Sequence, residues 1–302
     1  MMKRILWLLL AALFLTACVK NPPLLTTAPT ESTAIPTAPT QAPTTSPTEI
    51  TTAPTEATTA PTEPTAPQPQ GPTLLDCLNI AIQPVGNTMY IWGGGWNEAD
   101  TAAGIEATTI GLSPNWAYFA EKQGGSYNYK NHRYQIHDGL DCSGYVGWAV
   151  YNTLETENGR PGYVYKSTDV AWKLADRGLG EAIQNVTTWQ PGDIVSMKGH
   201  VWIALGHCAD GSVLLLHSSP PGVMFSGTCL PDGSESDASR LAEEIMRTHY
   251  PSWYTRYPDS ARSHSYLQNT TTLRWSSEVL PDPQNLRHLS AEEAVQRLFP
   301  TA

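Results

Sequence analysis

The segment from Asn21 to Pro72 limits what this chain can fold into more than any other feature. It holds no aromatic residue, and the triplet Ala-Pro-Thr recurs along it. A segment of this composition cannot bury enough apolar surface to offset the entropy of ordering it, so it is predicted to form a disordered, proline-stiffened stalk. The fold is therefore expected after Thr73, where nine of the ten tryptophans lie. We expect one domain over residues 73–280, followed by a tail over 281–302 that includes a possible helix.

The first 17 residues have the layout of a secretory signal, since Lys3 and Arg4 precede an apolar run from Ile5 to Leu15. This run is too short to cross a bilayer as a mature helix, which needs about 20 residues. The sequence Leu-Thr-Ala-Cys18 that follows resembles the bacterial lipobox, in which the cysteine is acylated and becomes the new N-terminus. The alternative is a plain signal peptide with Cys18 an ordinary residue. The lipobox predicts an extracytoplasmic lipoprotein, anchored to the membrane through Cys18, with residues 18–72 as its stalk.

Charge and cysteine content exclude several functions. The net charge is −10, and removing the signal lowers it to −12 because Lys3 and Arg4 leave without any acid. No basic run remains, so nucleic-acid binding is not expected. The other four cysteines form no CxxC pair, which argues against a zinc site or a thioredoxin-like motif. No cofactor or metal is predicted, and the chain is expected to act as a monomer.

The order of the predicted elements indicates an α+β fold. Helices are predicted first, at about 73–83, 113–123, 142–154 and 168–175. Short apolar runs separated by turns follow at 194–197, 200–205 and 212–217 and predict antiparallel strands. A helix at 239–247, a strand at 270–275 and a helix at 290–298 complete the expectation, which is of helices packed on a small antiparallel sheet.

Cys142, His200 and His217 form the candidate catalytic set. Cys142 lies at the predicted start of a helix, where the dipole stabilises a thiolate and backbone N–H groups are free. A buried core cysteine is the alternative. His200 opens one predicted strand and His217 ends the next, so an antiparallel pair would bring both imidazoles together. That geometry allows a Cys–His pair with a second histidine orienting the first.

Five motifs carry a resemblance to a known family. In chain order they are Tyr90-x-Trp92-Gly93-Gly94, Asp141-Cys142-Ser143-Gly144-Tyr145-Val146, Pro191-Gly192-Asp193-Ile194-Val195, His200-Val201-Trp202-Ile203-Ala204-Leu205 and His217-Ser218-Ser219. Together they resemble the ordered motifs of the NlpC-type cell-wall cysteine peptidases, over roughly Leu74 to Thr228. The resemblance implies a papain-like core and cleavage of peptidoglycan stem peptides, typically between γ-D-glutamate and a diamino acid.

The resemblance also implies a role for each matching residue. Cys142 would be the nucleophile, His200 the general base and then the acid, and His217 the polar residue that orients His200. Tyr90 would help the backbone N–H of Cys142 to bind the oxyanion. Two residues beside the nucleophile, Asp141 and Ser143, would contact the peptide end of the substrate. Apart from the resemblance, the position of Gly144 beside Cys142 is expected to leave room for the substrate backbone, and Trp92, beside the glycine-rich loop, is expected to line the cleft.

Several alternatives stay open at this point. The segment from Trp96 to Leu140 is longer than expected for the family, and it is either a flap over the cleft or a packed surface insertion. A metal site at His132, His137 and Asp138 is disfavoured because the ligand spacing is irregular. An amidase or acyltransferase on the same core, or a wall-binding lipoprotein without catalysis, would be the competing functions. No motif places the residues beyond Thr228.

Overall fold

The structure, a computed structural model, describes residues 71–300. Its helices are α1 (Leu74–Ile82), α2 (Pro114–Glu121), α3 (Cys142–Leu154), α4 (Val170–Asp176), α5 (Asp237–His249), α6 (Pro251–Arg256) and α7 (Ala291–Leu298). Its strands are β1 (Met89–Tyr90), β2 (Gly139–Leu140), β3 (Gly180–Gln184), β4 (Ile194–Met197), β5 (His200–His207), β6 (Val213–Ser219), β7 (Gly222–Thr228), β8 (Ala261–Arg262) and β9 (Thr271–Trp275). The predicted signal, the acylation site at Cys18 and the stalk lie outside the described residues. Within residues 71–300, no helix combines the length and apolar character needed to span a membrane.

The strands form one nine-stranded sheet in the order β2-β1-β7-β6-β5-β4-β9-β3, with β8 added beside β7. The α+β class is confirmed, but the expected sheet is wrong in size and type. It is larger than predicted, and it is mixed because β1–β2 and β7–β8 are parallel pairs. The sequence predicts only four of the nine strands. Of the other five, β1, β2 and β8 have two residues each, too few for an alternating apolar pattern to reveal them.

The sheet buries both of its faces. Alternate residues of β5, namely Val201, Ile203 and Leu205, pack into the main core with the helices. The intervening Trp202 and Ala204 belong to a second apolar cluster on the other face. Helix α3 is buried on nearly all sides, and it packs against β5 and β6. The start of α3 and the start of β5 therefore lie close together, which is the arrangement that builds the site.

The segment from Trp96 to Leu140 is a packed insertion. The Trp116 ring is buried and lies edge-on to Trp148 of α3, with ring centroids 5.8 Å apart. The Arg256 guanidinium donates to the carbonyls of Ala120 and Gln123 at 2.8 and 2.9 Å. The insertion is thus held by α3 on one side and by α6 on the other. Its two ends approach the cleft described below.

The residues beyond Thr228 are part of the same core. Helix α5 packs on β7, and β9 pairs with both β4 and β3 inside the sheet. In the tail, α7 buries Ala291, Ala294 and Leu298. At the start of the domain, the capping box of Thr73 and Asp76 opens α1, and the Leu74 N–H donates to the Pro281 carbonyl at 2.9 Å. The first helix and the C-terminal segment are therefore in direct contact.

Candidate active site

Cys142 is the first residue of α3, and its sulfur lies among backbone N–H donors. Asp141 is the N-cap, and its carboxylate accepts from the Gly144 N–H at 2.7 Å and from the Ser143 hydroxyl at 2.9 Å. The N–H groups of Cys142, Ser143 and Val201 donate toward the Cys142 sulfur. Val201 belongs to β5, so the strand that carries His200 reaches the nucleophile directly. These donors favour the thiolate.

His200 and His217 meet as the sequence predicted. The His200 Nε2 and His217 Nδ1 atoms are 2.8 Å apart, and the ring centroids are 5.0 Å apart. The other nitrogen of His217, Nε2, faces the Ser226 hydroxyl at 3.0 Å. Because Nε2 of His200 is engaged by His217, only its Nδ1 is left to exchange a proton with a thiol. This chain of contacts has the form of a base with an orienting partner.

Tyr266 links the histidine pair to the nucleophile. Its ring lies 5.2 Å from the His200 ring and 6.0 Å from the His217 ring. Burial raises the pKa of Tyr266, and the proximity of Cys142 contributes a smaller effect in the same direction. Among the described residues, no hydrogen bond joins Cys142 to His200. The two groups are therefore neighbours around Tyr266 and Val201, without the thiol–imidazole hydrogen bond formed.

Burial governs the protonation of the site. It raises the pKa of the Cys142 thiol to about 12, with a smaller contribution from the Asp141 carboxylate, and outweighs the backbone donors. Burial, with a smaller effect of the Arg262 cation, lowers the pKa of His200 to about 3. The N–H groups at the helix start lower the pKa of Cys142 as expected, but burial outweighs them. Both groups rest in their neutral forms, because desolvation penalises either charge.

The cleft at Cys142 has a volume of about 210 Å³ and both polar and aromatic walls. Its lining comprises Tyr90, Trp92, Gly93, Trp96, Asp100, Asp141, Cys142, Ser143, Lys166, Ser167 and Gly199. The Trp92 side chain is 43% exposed, and Arg133 of the insertion lies over its ring at 5.3 Å. The hydroxyl of Ser143 accepts from the Trp96 indole N–H at 3.1 Å. All four predicted substrate-contact residues therefore lie in one cleft with the nucleophile.

Gly144 has a different purpose from the one expected. A Cβ at this position would lie 2.0 Å from the Gly94 carbonyl oxygen and 3.0 Å from the Gly95 Cα. The absent side chain therefore makes room for the glycine-rich loop, rather than for the backbone of a substrate. This contact presses the loop that carries Trp92 onto the first turn of α3.

Three residues of the site have no motif in the sequence. Ser226 lies on β7, Arg262 on β8 and Tyr266 in a 3-10 turn that spans His264–Leu267. The Arg262 Nε atom lies 3.3 Å from His217 Nε2. Only the pairing of β8 with β7 brings this arginine to the histidines, and two-residue strands leave no periodic signal. The alternation of β7 could have placed Ser226 on the histidine side, had that strand been predicted.

The remaining histidine candidates do not form a metal site. His132 stacks on Tyr127 with ring centroids 5.3 Å apart, and His137 is hydrogen-bonded to Glu106. In the part of the chain that the structure describes, no three metal-ligating side chains converge.

Comparisons of this chain with protein-family models, with curated proteins and with solved structures found no match.

Proposed function

We propose that this protein is a cysteine endopeptidase that hydrolyses the stem peptides of peptidoglycan, at the bond between γ-D-glutamate and a diamino acid. Its catalytic domain would have a papain-like core of the NlpC type. The observation that carries the proposal is the 2.8 Å contact between His200 Nε2 and His217 Nδ1, beside a cysteine at a helix start. A lipid on Cys18 and the stalk would hold the enzyme at the outer face of the membrane, within reach of the wall.

The proposed chemistry is acyl transfer through Cys142. The sulfur attacks the scissile carbonyl, and the thiol proton passes to Nδ1 of His200. The tetrahedral oxyanion is bound by the Cys142 backbone N–H and the Tyr90 hydroxyl, which burial keeps protonated by raising the pKa of Tyr90. His200 then returns its proton to the leaving amine, and water hydrolyses the acyl-enzyme.

The neutral resting state sets a condition on the first step. Since burial holds the Cys142 proton, the thiolate must form as the substrate arrives, together with the proton transfer to His200. The backbone N–H groups of Cys142, Ser143 and Val201 favour the thiolate, so they would stabilise the negative charge that develops on the sulfur.

The walls of the cleft suit a charged peptide. Lys166 and Asp100 place opposite charges beside Cys142, while Trp92 and Trp96 offer apolar surface. A stem peptide carries both a carboxylate and a free amine near the bond in question, so it presents one group to each charge. The same cleft offers little to a purely apolar substrate, because a buried unpaired charge is costly.

The test is digestion of purified peptidoglycan by the full-length protein, with mass spectrometry of the released muropeptides. We expect products cut within the stem peptide, and we expect none from the Cys142→Ala variant, which deletes only the sulfur. Cys208→Ala is the matched control, because Cys208 is also buried but lies at the far end of β5. Release of intact stems from the sugar would identify an amidase, and activity in Cys142→Ala would refute the mechanism.

A further inference from the structure

Arg262 makes an unusual contact with the histidine pair. Its Nε atom lies 3.3 Å from His217 Nε2, the same nitrogen that faces the Ser226 hydroxyl at 3.0 Å. The remaining guanidinium nitrogens donate to the Ala261 carbonyl and lie 3.4 Å from the Met224 sulfur. Arg262 thus uses one of its N–H donors to contact His217, the residue that is proposed to orient His200.

This cation is otherwise weakly compensated and closed to the substrate. Its side chain is 11% exposed, so it cannot reach out to a ligand in the cleft. The carboxylate of Asp259 is 3.8 Å away and is itself 83% exposed to water. An arginine in such a place interacts mainly with its buried neighbours. Those neighbours are His217 and, one hydrogen bond further, His200.

A guanidinium can only donate, so its contact selects one protonation form of the pair. When Arg262 donates to Nε2 of His217, the His217 proton must lie on Nδ1. That proton is then donated to Nε2 of His200, and the proton of neutral His200 lies on Nδ1. In this first form, His200 has no lone pair with which to accept the thiol proton of Cys142.

The Ser226 hydroxyl permits the opposite form, because a hydroxyl can accept as well as donate. His217 then donates from Nε2 to Ser226 and accepts at Nδ1 from Nε2–H of His200. Nδ1 of His200 is left with its lone pair free, as general-base catalysis requires. In the change between forms, His200 loses the proton on Nδ1, the shared proton passes from Nδ1 of His217 to Nε2 of His200, and Nε2 of His217 gains a proton. Each histidine stays neutral and the total number of protons is unchanged.

We propose that Arg262 is a positioning residue that sets the tautomer of His217, and through it the basicity of His200. Arg262 holds the resting pair in the form in which Nδ1 of His200 has no free lone pair. In the competent form, the Ser226 hydroxyl accepts a hydrogen bond from Nε2–H of His217. The inference rests on the proposed Cys142–His200 chemistry. The other titratable groups facing the pair are Tyr266 and Cys142, and both are neutral at pH 7.

Alkylation of Cys142 by iodoacetamide in the full-length protein measures the effect without any substrate. Alkylation of Cys142 is followed by peptide mass spectrometry and normalised to a cysteine-free peptide, because Arg262 also contacts Cys229 and opposes the rise in its pKa that burial causes. At pH 7 we expect Arg262→Met to speed alkylation of Cys142 about tenfold, the equivalent of one unit of pKa. Ser226→Ala should slow it several-fold, and Arg240→Met, an exposed arginine on α5, should leave it unchanged. Arg262→Lys keeps the charge and loses the planar donor, so its rate should lie between wild type and Arg262→Met.

Opposite effects of the two variants separate a tautomer role from a structural one, since loosening of the fold would expose the buried Cys142 and speed its alkylation in both. If both variants change the alkylation rate in the same direction, the proposal is overturned. A second measurement needs no variant to be active: in the wild type labelled with ¹⁵N-histidine, NMR should show the His217 proton on Nδ1, with His217→Gln assigning the signals.

A proton on Nε2 of His217 in the resting protein would overturn the proposal, whatever happens to peptidoglycan. Conversely, a confirmed tautomer together with uncleaved peptidoglycan would refute only the assigned substrate. The two failures are therefore distinguishable.

Discussion

His200 and His217 share one hydrogen bond but have different roles in the proposed chemistry. There His200 accepts and returns a proton, whereas His217 only has to accept from Nε2–H of His200 at 2.8 Å. An amide oxygen can accept the same hydrogen bond, but no alanine can replace the base. The contribution of a general base is about 10²–10⁴ in rate.

We therefore expect His200→Ala to hydrolyse stem peptides no faster than Cys142→Ala. His217→Gln should keep measurable turnover, with a loss smaller than that of His200→Ala. The measurement is kcat on a purified stem peptide, and the double variant should lose no more than His200→Ala alone because the two residues act as a unit. The reverse order, with His217→Gln inactive and His200→Ala active, would show that the two roles are exchanged.

Helix α3 and the glycine-rich loop approach each other so closely that only glycine fits at position 144. Alanine there would gain up to about 1 kcal/mol of helix propensity. It would also place a Cβ 2.0 Å from the Gly94 carbonyl oxygen, and overpacking of this kind costs about 1–3 kcal/mol. The clash outweighs the propensity because both contacting segments are backbone and cannot rotate away.

Gly144→Ala is accordingly expected to lower the free energy of unfolding by up to about 2 kcal/mol, the overpacking cost less the gain in helix propensity. It should also reduce activity by displacing the loop that bears Trp92. Denaturant unfolding measures the first effect, and stem-peptide hydrolysis the second. Gly124→Ala is the control, since a Cβ at Gly124 meets nothing within 4 Å. Equal stability of the two variants would contradict the close packing.

The sequence predicts the elements with strong local signals and misses those that depend on distant partners. The predicted α3 and β4 match their observed bounds, because a capped helix and a run of apolar residues are local features. β8 could not be predicted, since its two residues become a strand only by pairing with β7. For the same reason the sequence identified both histidines but not Arg262. The raised pKa of Cys142 also comes from tertiary burial, which no motif reports.

The two buried histidines make the stability of the entire domain depend on pH. Burial lowers the pKa of His200 to about 3 and that of His217 well below its usual range. In the unfolded chain both titrate near 6.5, so below that pH the unfolded state binds more protons than the folded state. The stabilising contribution of each neutral histidine is therefore present above about pH 6.5 and is lost as the pH falls toward the folded pKa. Asp141 opposes this loss, because burial raises its pKa to about 6.

Comparing the pH dependence of stability in the wild type and in His217→Gln isolates the contribution of His217, because the opposite contribution of carboxylates such as Asp141 is common to both proteins. From pH 6.5 to 5, the free energy of unfolding of the wild type should fall by about 2 kcal/mol more than that of the variant, at about 1.4 kcal/mol per pH unit. Denaturant unfolding at a series of pH values gives both curves. Parallel curves would mean that the pKa of His217 is the same in the folded protein as in the unfolded chain, and would contradict its burial in the neutral form.

Anchoring can be tested independently of catalysis. Metabolic labelling with a fatty acid should mark the protein, and Cys18→Ser should abolish the label and release the protein from the membrane fraction. A durable anchor needs more than one acyl chain, and the lipobox interpretation places these chains on Cys18. Replacing Cys18 should therefore remove the anchor completely. An unlabelled wild type would refute the lipobox interpretation.

The position of β9 between β4 and β3 affects when the sheet can be completed as the chain is synthesised and folds. β4 ends at Met197 and its outer neighbour does not begin until Thr271, so the sheet keeps an open edge while the intervening chain is synthesised. Pairing over such a separation is slow, because the loop must close before the strand contacts repay its entropy. A chain cut at Thr228, where the recognisable motifs end, would expose that edge to aggregation and lack Arg262 and Tyr266. Cys142 and His200 are therefore synthesised before β8 and β9, the strands that complete both the sheet and the site.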